Sequence, residues 1–329
     1  MVEKNQTVVT EFFLLGFGDL QDLKIPVFVF LLIAYIMTVT GNALVIVLVM
    51  VSQNLHSPMY IFLTQLSLSE ILFTSNILPG MLWLTLVGGG KINVIECFSH
   101  LYLLVVCTIT QCLLLTTMSF DRYLAICRPL HYTIIMTFGL QLQIVTICWS
   151  TGFTLSILLL VFLYKLEFCG PDTINHFYCD IGPVLELSCT DISSVKLVTS
   201  MLSTPFLVCP FGFIMGTYIS IFHTIMKISS SIRRQKAFST CSSHLTVVGL
   251  YFGSLSSIYL FSPISSSSNT KKNLSIIYIL VTPLFNPIIY CLRNQDIKWA
   301  IMKYIHIIFC TWKFQRNTNL RTQEKSIQN

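Results

Sequence analysis

The chain has 329 residues, 54% of them hydrophobic and only 10% charged, with a mean hydropathy of +0.74 and a net charge of +6. A soluble domain is about 25% charged, and 34 Asp, Glu, Lys and Arg side chains are too few to cover a soluble surface of this size. The balance argues against a water-soluble enzyme and against a disordered chain, and no basic run interleaved with aromatics points to nucleic acid.

Residues 1–25 read as an N-terminal tail, expected outside the membrane. Its one apolar stretch, Phe12–Phe17, is shorter than the core of a cleavable signal peptide. Asn5-Gln6-Thr7 is a glycosylation sequon there, so Asn5 is a modification site if the tail faces the lumen. Asn273-Leu274-Ser275 is a second sequon, but it abuts an apolar segment.

Seven long apolar segments follow, at about 26–51, 58–81, 98–121, 141–163, 197–224, 238–261 and 274–292. About 20 apolar residues of helix cross a hydrocarbon core. Lipid satisfies no backbone polar groups, so continuous apolar runs of this length must be helices. The expected fold class is an all-α membrane protein, a seven-helix bundle over residues 26–292. Residues 293–309 read as a short amphipathic helix on the membrane surface, and 310–329 as a polar tail. Two connections are longer: about 164–196, and a basic link between segments five and six.

Charge sets the expected orientation. With the N-terminus outside, the inner side holds 13 of the 20 basic residues and three acids, and the outer side holds 7 basic and 10 acidic residues. Glu70 is left within the membrane. Cys97, Cys169, Cys179 and Cys189 then face an oxidising compartment, where four cysteines can pair in three ways. A bridge from Cys97 would pin the long loop over the bundle. The other eight cysteines read as small apolar fillers. His176 lies near Cys179, but a disulfide there would remove the metal-binding thiol.

Four stretches carry a family signature. Ser57-Pro58-Met59-Tyr60 opens segment two, and Met118-Ser119-Phe120-Asp121-Arg122-Tyr123-Leu124-Ala125-Ile126-Cys127 closes segment three. Lys236-Ala237-Phe238-Ser239-Thr240-Cys241-Ser242-Ser243-His244-Leu245 opens segment six, and Asn286-Pro287-Ile288-Ile289-Tyr290 closes segment seven. Over roughly residues 5–304 the chain resembles a vertebrate odorant receptor, a branch of the rhodopsin-like G-protein-coupled receptors. It departs from the commoner family pattern at Ser119, Phe120, Glu70, Gln111 and the reversed aromatics of Tyr251-Phe252-Gly253.

The resemblance implies a receptor with no reaction to catalyse. It would be a plasma-membrane protein with its N-terminus outside, binding a small, mostly neutral volatile and activating a stimulatory G protein that raises cyclic AMP. The pairing expected is Cys97–Cys179 and Cys169–Cys189. The switch set is Asp121, Arg122, Tyr123, Tyr218, Lys236, His244, Asn286, Pro287 and Tyr290. Arg122, held by Asp121 at rest, would be freed to meet Tyr218, Tyr290 and the G-protein α-subunit. His244 is expected either as a polar lock to segment three or as a tolerated surface residue.

Glu70 needs polar partners, and Asn42, Gln111 and Asn286 are the candidates on facing helices. The resemblance implies a sodium-linked or water-linked network there, whereas the residues alone also fit a protonated carboxyl in structural hydrogen bonds. No other cofactor is expected, and no metal-ligand cluster is evident. Pro210, Pro263, Pro283 and Pro287 free backbone carbonyls and permit kinks, with Asn286 a candidate to satisfy them.

The pocket is expected between the outer halves of segments three, five, six and seven. Helical spacing puts Leu104, Val105, Thr108, Ile109 and Cys112 on one stripe. Leu202, Ser203 and Phe206 form a second; Phe252, Leu255, Ser256 and Tyr259 a third, with Ile279 on segment seven. The set is apolar with a few hydroxyls and no charge, which suits small neutral ligands. A chemosensor of another tissue is the alternative within this class. A transporter or channel would require more intramembrane charge than Glu70 supplies.

Overall fold

A computed structural model describes residues 9–18, 20–169, 172–259 and 268–306, with residues 309, 311 and 316. The helices are α1 (Lys24–Val51), α2 (Pro58–Val87), α3 (Val94–Cys127), α4 (Pro129–Ile135), α5 (Phe138–Leu163), α6 (Ile181–Glu186), α7 (Ser193–Met226), α8 (Ser231–Tyr259) and α9 (Ser268–Arg293). Residues 295–306 continue as a further helix, α10. The long helices run past the apolar segments that mark them in the sequence, because backbone hydrogen bonding persists where hydropathy stops. The basic link before segment six thereby shrinks to residues 227–230, and Arg233, Arg234 and Lys236 belong to the first turns of α8.

Among the described residues, six of the seven long helices are long and apolar enough to cross a membrane. The exception is the sixth, α8, whose serines and His244 dilute its hydropathy. It still joins the bundle, with Val247, Val248, Tyr251, Phe252 and Leu255 buried in the shared core beside residues of α3, α7 and α9. Large exposed apolar side chains such as Phe30 and Ile33 of α1, Ile157 of α5 and Phe211 of α7 give the bundle the oily exterior that lipid requires.

Helix ends follow local chemistry. Asn93 caps α3 by accepting from the Ile95 amide at 2.9 Å, and Thr137 caps α5 through the Leu140 amide. Pro58 and Pro129 sit in the first turns of α2 and α4, where a missing N–H costs nothing. Gly152 lets α5 approach α3: a Cβ there would stand 2.7 Å from Thr110 Oγ1 and 2.9 Å from the Val106 carbonyl.

One end of the bundle carries a folded cap. Strand β1 (Glu11–Leu14) lies between β2 (Gly90–Asn93), to which it is antiparallel, and β3 (Thr173–Ile174), to which it is parallel. Strand alternation turns Phe12 and Leu14 inward. They join a separate apolar cluster with Phe98, Leu101, Leu163, Phe168 and Ile174. Cys97 is bonded to Cys179 and Cys169 to Cys189, tying the long loop to the start of α3 and closing its own base. Part of the N-terminal tail, Glu11–Leu14, is thus a strand of the cap.

At the opposite end, α10 buries Ile297 and Ala300 against the bundle and leaves Trp299, Met302 and Ile305 exposed. Tyr60 donates to Asn294 Oδ1 at 3.2 Å and to Asp296 Oδ2 at 3.0 Å, and Tyr304 donates to the Val51 carbonyl at 2.7 Å. These bonds fasten α10 to α1 and α2.

Candidate functional site

Two regions collect the residues singled out in the sequence. The first is the bundle interior towards the cap. Thr108 of α3 donates to the carbonyl of Leu104 at 2.8 Å and shares a 3.0 Å hydrogen bond with the hydroxyl of Tyr278 on α9. Tyr251 of α8 donates to the Thr108 carbonyl at 2.6 Å. Three helices thus meet at Thr108. The thiol of Cys112 donates to the Phe206 carbonyl of α7 at 2.8 Å.

Leu104, Cys112, Phe252, Leu255 and Ile279 are buried in one core with Tyr251 and Tyr278; Ile109 is buried but not part of that core, and Val105, Leu202, Phe206 and Ser256 are partly buried. Ser203 is exposed, a correction to the expected α7 stripe: α7 presents Leu207 and Pro210 to the interior instead. The side chain of Tyr259 lies outside the described residues, as does Pro263. Tyr278 was not foreseen; the available signal was its four-residue spacing from Thr282, which puts two hydroxyls on one face of α9.

The second region is the end remote from the cap. Asp121 is fully buried, and its carboxylate stands 3.8 Å from Arg122 Nε. It also accepts from the Tyr132 hydroxyl of α4 at 2.9 Å. Burial and the neighbouring Asp121 push the Tyr132 phenol above its ordinary pKa, so it stays a donor. Tyr132 was not foreseen; its approach depends on α4 folding back after Pro129.

Tyr218 and His244 share a 2.7 Å hydrogen bond through Nδ1, joining α7 to α8. His244 is buried, so the surface reading fails, and its bond goes to segment five rather than segment three. Tyr290 is buried nearby in the shared core, while Tyr123 packs against it from α3. The side chain of Lys236 and all of Asn5 lie outside the described residues.

Between the two regions Glu70 is buried on α2, and Asn286 of α9 donates to its Oε1. Asn42 donates to the carbonyls of Thr38 at 3.1 Å and Pro283 at 3.2 Å. The second bond has a clear cause. Pro287 has no N–H to offer the carbonyl four residues back, and Asn42, rather than Asn286, fills the gap. Gly41 lets α1 come this close, since a Cβ there would stand 3.1 Å from the Pro287 ring. Gln111 is buried, but its amide nitrogen makes no hydrogen bond among the described residues, so it is not brought to Glu70 as expected. Among the described residues no group of three His, Cys, Asp or Glu side chains is gathered as a metal site.

In the cap, His176 is buried, and its Nε2 lies 3.3 Å from Ser275 Oγ of α9. Lys272 donates to Asn175 Oδ1 at 2.9 Å and stands 4.9 Å from the Phe177 ring centre. Burial, and then the positive charge of Lys272, lower the His176 pKa to about 4, so the imidazole is neutral.

The fold is that of a known receptor: a crystal structure of squid rhodopsin superposes with a TM-score of 0.68, covering 89% of each chain at 14% identity. The olfactory receptor family profile matches residues 30–307. Olfactory receptor 226 of Rattus norvegicus is 40% identical over 304 residues, covering 91% of this chain and 93% of the relative. Human olfactory receptor 10A3 is 39% identical, covering 92% of this chain and 96% of the relative, and human olfactory receptor 10C1 is 42% identical with the same coverage. With these relatives and this bundle, the chain belongs to the olfactory receptor family, a non-enzymatic family of membrane-spanning G-protein-coupled receptors.

Proposed function

We propose that this receptor binds small, mostly neutral, hydrophobic volatiles around Thr108 and answers by activating a stimulatory heterotrimeric G protein, raising cyclic AMP. The observation that carries the ligand class is the junction at Thr108. A few hydroxyls, from Thr108, Tyr251 and Tyr278, sit beside a buried apolar core that includes Leu104, Phe252, Leu255 and Ile279. Burial would supply most of the affinity, and one or two hydrogen bonds the orientation. None of the proposed lining residues is charged, so a cation or an anion lacks its counter-ion. A ligand hydroxyl or carbonyl that replaced Tyr278 at Thr108 would loosen the link between α3 and α9.

The cap end is the outer end and the Arg122 end the cytoplasmic one. The inner excess of Lys and Arg supports this, as does the placing of the disulfides in an oxidising compartment. The receptor is then a plasma-membrane protein with an outer tail open to glycosylation at Asn5 and α10 lying on the inner membrane surface.

Ligand binding shifts a two-state equilibrium. At rest, Asp121 is held by Tyr132 and faces Arg122, and Tyr218 is held by His244. For Arg122 to meet Tyr218, the Tyr218–His244 bond has to part, which frees the inner half of α8 from α7. Arg122, Tyr218 and Tyr290 then form the surface that the G-protein α-subunit reads, with Lys236 at the inner end of α8. Glu70 and Asn286 hold the middle of the bundle through a structural hydrogen bond at Glu70 Oε1, with Asn42 bonded beside them to the Pro283 carbonyl; Glu70 Oε2 and the Oδ1 atoms of Asn42 and Asn286 make no hydrogen bond among the described residues. Screening a panel of neutral volatiles against cells displaying the chain, with a cyclic AMP readout, tests the reading. Responses confined to charged molecules would overturn the ligand class.

A further inference from the structure

Each hydroxyl hydrogen at the Thr108 junction is already committed. A hydroxyl carries one hydrogen and two lone pairs. The Thr108 hydroxyl gives its hydrogen to the Leu104 carbonyl of its own helix at 2.8 Å, the usual back-bond of a helical threonine. Its 3.0 Å bond with Tyr278 therefore takes its hydrogen from Tyr278, and Thr108 Oγ1 is the acceptor. The Tyr251 hydroxyl gives its hydrogen to the Thr108 carbonyl at 2.6 Å. One turn along α3, the Cys112 thiol gives its own to the Phe206 carbonyl at 2.8 Å. Of the two serines in the expected lining, Ser203 is exposed and Ser256 takes no part in these bonds.

The junction thus presents lone pairs and no uncommitted hydrogen. Tyr251 and Tyr278 are 1% and 4% exposed, whereas Thr108 is only partly buried, so Thr108 is the member of the junction that a ligand reaches. An alcohol fits between Thr108 and Tyr278 without loss. Its O–H donates to Thr108 Oγ1, and its oxygen accepts from Tyr278. The donors then run in order from Tyr278 to the ligand, to Thr108 and to the Leu104 carbonyl, and no polar group is orphaned. A carbonyl or ether oxygen accepts from Tyr278 but has no hydrogen for Thr108. It leaves Thr108 Oγ1 without a donor inside the bundle, or makes Thr108 turn its hydrogen away from the Leu104 carbonyl.

We propose that the receptor selects for a hydrogen-bond donor, and that its preferred ligands are neutral alcohols rather than ketones, aldehydes or ethers of the same carbon frame. The proposal rests on the reading that ligands bind at Thr108. Thr108 sets the preference as the acceptor, and Tyr278 is the donor whose place the ligand hydroxyl takes.

The test uses the full chain displayed on cells, with cyclic AMP dose–response curves. The probes are matched triplets on heptane, octane, nonane and cyclooctane frames: the secondary alcohol, its ketone and its methyl ether. On each frame that activates, the alcohol should be about tenfold more potent than the ketone or the ether. Thr108→Val removes the acceptor and should erase that ratio, whereas Thr108→Ser keeps the hydroxyl and should keep it. Tyr278→Phe retains the ring packing against Phe73 and Tyr251. It should widen the ratio, because the ketone loses its donor while the alcohol keeps Thr108. A residue that only packs the bundle would shift all three probes together and leave the ratio unmoved. Equal or greater potency of the ketone in wild type overturns the proposal whether or not the variants reach the surface, and it leaves the ligand site standing. A ratio untouched by Thr108→Val at normal display, or one that shrinks in Tyr278→Phe, also overturns it. Silence to every frame at normal wild-type display removes the reading of the ligand site, and this proposal with it.

Discussion

The hydroxyl of Tyr218 and Nδ1 of His244 stand 2.7 Å apart in the buried interior and tie α7 to α8. If this bond holds the resting state, His244→Ala should raise ligand-free cyclic AMP. A hydrogen bond contributes about 1 kcal/mol net, which corresponds to roughly a fivefold shift between two states. Basal signal normalised to surface display is the measure. An unchanged basal level would mean that the bond only packs the bundle.

Glu70 and Asn286 form the polar centre of the bundle. Glu70→Gln keeps an acceptor for Asn286 and should leave thermal stability nearly unchanged. Glu70→Ala leaves the amide unpaired in a buried site, at a cost of about 1–3 kcal/mol. Melting of the purified receptor compares the two. A melting point for wild type, but not for Glu70→Gln, that rises with added sodium would replace the structural reading with an ion site.

The cap should respond to acid. His176 has its pKa lowered to about 4 in the fold, against about 6.5 when exposed. Between those values the unfolded cap binds a proton that the folded cap refuses, so stability falls as pH drops from about 6.5 towards 4. The loss is on the order of 3 kcal/mol at most. His176→Asn should flatten the slope of melting temperature against pH in that window, and an unaltered slope would assign it to other groups. Lys272, Ser275 and Tyr178 surround the ring and stay in place in that variant.

Cys97 and Cys179 close a loop across 82 positions of sequence. Cys97→Ser should remove about 2–4 kcal/mol and sharply reduce surface display. Cys169→Ser should cost less, because its loop spans only 20 positions. Flow cytometry on unpermeabilised cells ranks them; the reverse order would contradict the cap architecture.

These features differ in how far the chain announces them. The bundle was legible because lipid forces long apolar helices, and hydropathy records that directly. The cap sheet was not: Glu11–Leu14 is four residues long, and its partners Gly90–Asn93 and Thr173–Ile174 lie far along the chain. The length of α8 was hidden because its first turns are basic and its middle is rich in serine. Helical spacing grouped Leu104, Thr108 and Cys112 on one face of α3, but it could not say which residue of α9 meets Thr108, and so Tyr278 was missed. The partner of His244 likewise depends on helix packing, which one strand of sequence does not encode locally. Asn42 shows the same limit, since its bond to the Pro283 carbonyl is a contact between the first and last long helices.

The central claim is that a neutral ligand near Thr108 reaches the G protein through Arg122. The most direct test is ligand-driven cyclic AMP in cells displaying Arg122→Ala beside wild type, using a volatile to which wild type responds. The account predicts that the response is abolished while surface display is unchanged. A retained response at equal display would contradict it.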